Sequence, residues 1–196
     1  MPTALPLPDV LLITPEPPLD AACLVVFLNH LSHAVSSGTA LVQLRAKQLD
    51  AGAYRCLAEQ ACAICHRHGA RVVLNGPLDS LDALDADGLH LSSARLMQCG
   101  ERPLGSSKLL SAACHSVDEL RWAQRLGVDF VTLSPVLPTG SHPGEPTLGW
   151  PQFEAMAASV AVPIYALGGM TRASIALARS HGAHGVAGIS AFWQYE

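Results

Sequence analysis

The chain has 196 residues, 49% apolar and 14% charged, with a formal net charge of -4. Such a size and composition suit one well-buried domain and exclude a disordered or coiled-coil chain. The negative balance gives no general attraction to nucleic acid or an anionic membrane, and no apolar run approaches the roughly 20 residues of a membrane span. The opening stretch MPTALPLPDV has neither a basic segment nor a cleavage pattern. A cytoplasmic setting is therefore expected, with the six cysteines reduced.

The first short apolar run is residues 10–14. The second, residues 41–45, continues into QLRAK, where strand alternation sets Gln43, Arg45 and Lys47 on one side and Leu44 and Ala46 on the other. Two cations converging at a strand end point to an anionic ligand, with a plain pair of surface cations as the alternative. Residues 51–68 repeat apolar positions at helical spacing: Tyr54, Leu57, Ala58, Ala61, Ile64 and Cys65. The same stretch contains C-x-x-C-H at Cys62, Cys65 and His66, the spelling of a c-type haem attachment and a source of zinc ligands. Cys65 falls on the apolar stripe, haem attachment requires export, and no second pair stands at a finger-like spacing. These cysteines are read as core residues.

The third run, residues 71–74, ends at Asn75-Gly76, and the fourth, residues 88–91, holds His90 and leads into SSAR. The fifth, residues 108–112, leads to Cys114 and His115. Ser116 with Glu119 three positions on predicts a capped helix start. After the sixth run, residues 130–133, comes SPVLPTGSHPGEPTLGW, residues 134–150. Its four prolines predict a long loop with neither helix nor strand. The seventh run, residues 163–167, precedes LGGMT and the helical RASIALARSH. The eighth, residues 185–189, precedes a last helix entered through Ile189 and Ser190.

Eight strands alternating with helices pair in parallel through crossovers. The expected fold is α/β: a single-domain (β/α)8 TIM barrel of minimal size, residues 1–196, with a doubly wound open sheet as the alternative. A barrel carries its site at the C-terminal strand ends. There His115 is the acid–base candidate, because imidazole titrates near neutrality. Gly168 and Gly169 ahead of a helix starting near Thr171, with Ile189 and Ser190 ahead of the last helix, predict a phosphate site built from backbone N–H groups.

The ordered set LVQLRAK, VVLNGPLD, DGLHL, CHSVDEL, GVDFVTLSPVLPTGSHPG, PIYALGGM and HGVAGIS resembles the thiamine-phosphate synthase/TenI superfamily over nearly the whole chain. The resemblance implies a (β/α)8 barrel with ligands from thiamine biosynthesis. Synthases of that superfamily join an aminopyrimidine pyrophosphate to a thiazole phosphate, with magnesium on the pyrophosphate. TenI-like proteins are thiazole tautomerases that aromatise a thiazole phosphate carboxylate by histidine proton transfer. Carried over position by position, the resemblance makes His115 catalytic. It makes Gln43, Arg45, Lys47, Asn75, Thr139, Ser141, His142, Gly168, Gly169, Ile189 and Ser190 substrate-binding.

Four positions depart from the synthase pattern. Gly76 and Arg95 stand where synthases carry the two magnesium aspartates, Ala113 replaces a serine, and His142 replaces the loop lysine. Magnesium needs hard oxygen ligands, usually carboxylates, so no cofactor and no metal is expected. The implied function is a TenI-like thiazole tautomerase. The alternatives are a thiamine-phosphate synthase with an altered pyrophosphate and magnesium site, and a non-catalytic phosphate-ligand-binding or regulatory module. The implied partner is a phosphorylated thiazole, with a homo-oligomer left open. LPTGSHPGEPTLGW together with GAHGVAGISAFW also resembles the TenI-like domain fused to some Nudix hydrolases, although no Nudix signature is in the chain.

Overall fold

The computed structural model describes residues 6–76, 84–140, 144 and 146–193. Eight strands close into a barrel in chain order: β1 (Val10–Ile13), β2 (Leu41–Arg45), β3 (Arg71–Asn75), β4 (Gly88–Leu91), β5 (Leu109–Cys114), β6 (Phe130–Leu133), β7 (Ile164–Leu167) and β8 (Gly185–Gly188). Every pairing is parallel, and β8 returns to β1 in the register Val10↔Val186. That closure excludes the open sheet. Six α-helices are found among the described residues: α1 (Ala21–Ser36), α2 (Ala51–Arg67), α3 (Ser93–Gln98), α4 (Val117–Leu126), α5 (Gly149–Ala157) and α6 (Ile175–Ser180). None is long and apolar enough to cross a membrane.

Local chemistry sets the helix boundaries. Asp20 and Asp50 cap α1 and α2, accepting from the amides of Cys23 and Ala53 at 2.9 Å each. Ser116 and Glu119 form the full capping box of α4, and Gly127 ends that helix at φ +73°, a conformation in which a Cβ would be penalised. Two expectations are corrected. Residues 134–150 are not wholly loop, because α5 begins at Gly149 with Pro151 in its first turn, where a missing N–H costs nothing. A 3-10 turn, Arg172–Ser174, precedes α6 where the helix was expected to start near Thr171. Residues 189–193, just after β8, form a turn in which Phe192 and Trp193 both donate to the Ile189 carbonyl, and the remainder of the expected last helix lies outside the described residues.

Alternation along the strands divides the apolar residues into two cores. Leu11, Ile13, Leu41, Val73, Phe130, Tyr165 and Ala187 pack inside the barrel. Val10, Leu12, Val42, Leu44, Val72 and Leu74 pack outward against the helices. Cys62 and Cys65 lie in the outer core, and burial pushes both thiols up to about 12. They are protonated and inert at neutral pH, as a core reading requires. Toward the C-terminal strand ends the barrel interior changes character. Gln43, His90, Ser111 and Thr132 form a buried polar layer there, beneath the mouth.

Candidate active site

The loops after β6 and β7 build one side of the mouth. Gly168 and Gly169 have φ of +104° and +69°. A Cβ on Gly168 would lie 3.1 Å from Pro135 Cα, and one on Gly169 2.9 Å from Leu137 Cβ and from the Pro138 carbonyl. The strand-six loop therefore rests on the glycine pair. It is stitched there by hydrogen bonds from the Val136 amide to Leu167 O at 2.9 Å and from the Leu137 amide to Gly168 O at 3.2 Å. The glycines serve the packing of this loop as well as any ligand. No backbone acceptor among the described residues takes the amides of Gly168, Gly169 or Ser190. Thr139 is half-buried in the same loop, while Ser141 and His142 lie outside the described residues.

The opposite side is made of side chains. Gln43 is buried midway along β2, and its amide oxygen accepts from Asn75 Nδ2 at 3.3 Å. Its own Nε2 is buried with no partner among the described residues. Arg45 does not stand as a free cation. Glu16, beyond the end of β1, holds its Nη1 at 3.1 Å and also accepts from the Gln48 amide at 2.7 Å. Lys47 is exposed in the loop beyond β2. The expected row of two converging cations is thus an ion pair followed by a solvated lysine.

His115 sits just past β5. Its Nδ1 lies 2.9 Å from the Ser134 carbonyl at the end of β6. A carbonyl only accepts, so in the neutral ring Nδ1 carries the hydrogen and Nε2 presents a lone pair. Glu119 fixes the backbone beneath it, accepting from the His115 amide at 2.5 Å and from Ser93 Oγ at 2.6 Å. Cys114 faces the other way into the outer core, and burial pushes its thiol up to about 12. It is no nucleophile.

Three groups at this end were given no part in the site from the sequence. His90 is buried, with Nδ1 2.9 Å from Ser111 Oγ. Burial pushes its imidazole down to about 3, and the charge of Arg95 acts in the same direction. The β4–β5 register pairs His90 with Ser111, and alternation along those two runs marks both as inward. Glu16 was a second omission. The third is Tyr54, which has an apolar stripe position on α2 but also reaches the end of β3.

Magnesium, implied by the synthase branch, does not fit the described residues at this corner of the mouth. At Gly76 a Cβ would lie 2.2 Å from Tyr54 Cζ and 2.5 Å from its hydroxyl oxygen, so the Tyr54 ring fills the space a carboxylate side chain needs. Arg95 Nη1 donates to the Gly76 carbonyl at 2.6 Å, which puts a positive charge beside that carbonyl that would repel a cation there. A separate cavity of about 290 Å³ lies beside the end of α4, lined by Gly100, Glu101, Arg102, Trp122, Arg125 and Leu126. The guanidinium of Arg102 is already engaged there by Asp129 and the Lys108 and Gly127 carbonyls.

The family model described as thiamine monophosphate synthase matches residues 11–192. A thiamine-phosphate synthase of Chlorobium luteolum is 35% identical over 171 residues, 86% of this chain and 81% of that protein. One of Methanospirillum hungatei is 31% identical over 166 residues, 81% of this chain and 78% of that protein. Among solved structures, a thiamine phosphate pyrophosphorylase from Pyrococcus furiosus superposes with a TM-score of 0.72, covering 93% of this chain and 85% of that one. At 19% identity, that likeness concerns the fold alone.

Proposed function

The chain belongs to the thiamine monophosphate synthase/TenI family of thiamine biosynthesis, and from that premise we propose that it is a TenI-like tautomerase acting on a thiazole phosphate carboxylate. The supporting observation is His115, whose Nδ1 is held by the Ser134 carbonyl so that Nε2 presents a lone pair. Tautomerisation needs a group that takes a proton at one atom of the substrate and returns one at another. Substrate and product are isomers, so no electron pair and no leaving group departs, and the imidazole ends as it began. The Gly168, Gly169 and Ser190 amides, with Ile189, suit the phosphate. Gln43, Asn75, Lys47 and Thr139 suit the remainder, and Ser141 and His142, assigned to the ligand by the resemblance, lie outside the described residues. Arg45 acts in this reading through its pair with Glu16. The setting is cytoplasmic, which the six unpaired cysteines support.

The test is the rate of tautomer conversion. Replacing His115 with Asn should lower it by about 10²–10⁴-fold, the usual worth of a general acid–base group. Equal rates would remove His115 from the chemistry. A second reading, thiamine-phosphate synthesis, is favoured more directly by the names of the relatives. Incubation with aminopyrimidine pyrophosphate and thiazole phosphate, with and without magnesium, separates the two. Thiamine phosphate as product would establish the second reading. Binding of thiazole phosphate with neither turnover would leave a non-catalytic ligand-binding module.

A further inference from the structure

Tyr54 from α2, Gly76 at the end of β3 and Arg95 from α3 meet at one corner of the mouth. Their packing is mutual. The Tyr54 ring occupies the space of a side chain at residue 76, and that residue's carbonyl receives Arg95 Nη1 at 2.6 Å. Arg95 differs from Arg45 at the end of β2. Glu16 neutralises Arg45, whereas no carboxylate among the described residues pairs with Arg95. Among the described residues one carbonyl engages one of its five N–H donors, which leaves the rest of a planar fork without a partner there. Its charge is felt inside the barrel, where it helps keep His90 neutral.

We propose that Arg95 is a resident cation that seats an oxyanion of the ligand, carboxylate or phosphate, without a divalent metal, and that Tyr54 is the wedge that keeps a metal-binding carboxylate out of residue 76. The corner thus performs by hydrogen bonding what a magnesium site performs by coordination. The inference rests on the mouth being the ligand site, and not on which reaction takes place there.

Inorganic pyrophosphate is the probe, titrated by calorimetry into the wild-type chain in EDTA and then in magnesium. Affinity should agree within about twofold between the two conditions. Arg95→Gln should bind about tenfold more weakly, the worth of one charge-assisted contact, at an unchanged melting temperature. Arg95→Lys should fall between them, because a point charge keeps attraction but loses the fork. Binding that needs magnesium, absence of binding, or an undiminished Arg95→Gln variant would each overturn the resident cation. The wedge has its own readout. Gly76→Asp should melt several degrees lower in the wild-type background and show no such drop in a Tyr54→Ala background. Equal drops in both would overturn it. Because pyrophosphate is not a tautomerase substrate, these outcomes are independent of the His115→Asn rates.

Discussion

The two sides of the barrel mouth are built from different materials. Past β7 and β8 the surface is backbone: the left-handed glycines Gly168 and Gly169, the Ser190 amide, and a loop hydrogen-bonded down onto them. Past β2, β3 and β4 it is side chain: the Glu16–Arg45 pair, the Gln43–Asn75 contact, and the Tyr54 and Arg95 corner. Backbone donors suit any phosphate and depend little on residue type beyond the need for glycine. A side-chain surface can be rewritten one residue at a time. Gly168, Gly169 and Ser190 on the first side accordingly keep the pattern that the resemblance implies, whereas the two departures at the magnesium positions, Gly76 and Arg95, both fall on the second.

Three further measurements sharpen this contrast. The largest effect is expected at the backbone side. Gly169→Val adds left-handed strain and a Cβ 2.9 Å from Leu137, together costing about 3 kcal/mol of stability in a denaturant titration. A tolerated valine would show the loop to be free of the glycines. Next comes the buried polar layer of the other side. An unfolded histidine titrates near 6.5, while folded His90 is held down to about 3. Above pH 6.5 the ring is neutral in both states. As pH falls from there toward 3 the unfolded chain binds the proton first, so stability falls by about 2 kcal/mol at pH 5. Melting curves at pH 7 and pH 5 should show a smaller acid loss in His90→Gln than in wild type, and equal losses would contradict the assignment. The smallest effect is expected at Glu16→Gln, about 1 kcal/mol or less, because the pair is partly solvated. That variant should also strengthen anion binding by releasing Arg45, which a phosphate titration reads directly.

Much of the barrel was legible because parallel strands buried on both faces are uninterrupted apolar runs. The runs at β2, β4 and β6 carry their own boundaries. β5 extends through Ala113 and Cys114, small residues that propensity does not mark as strand. In the site, His115 and the glycine pair were found by position at a strand end. The ion pair that engages Arg45 was not, since its partners stand 29 residues apart and only β1–β2 pairing joins them. Tyr54 is a related case. Helical periodicity marks it as buried but says nothing of the strand end beneath its ring.

The strand-six loop leaves the barrel and returns to it at nearly one point. The Leu148 amide donates to Pro135 O, and the Gly149 amide donates to Val136 O, both at 2.9 Å. A chain closed at its base this way behaves as an interchangeable cassette. What lies between Leu137 and Leu148 can change in length or composition while β6 and α5 keep their places, at an entropic cost that grows only slowly with length. Selectivity written on the tip of that loop is therefore free to drift on a barrel that stays the same.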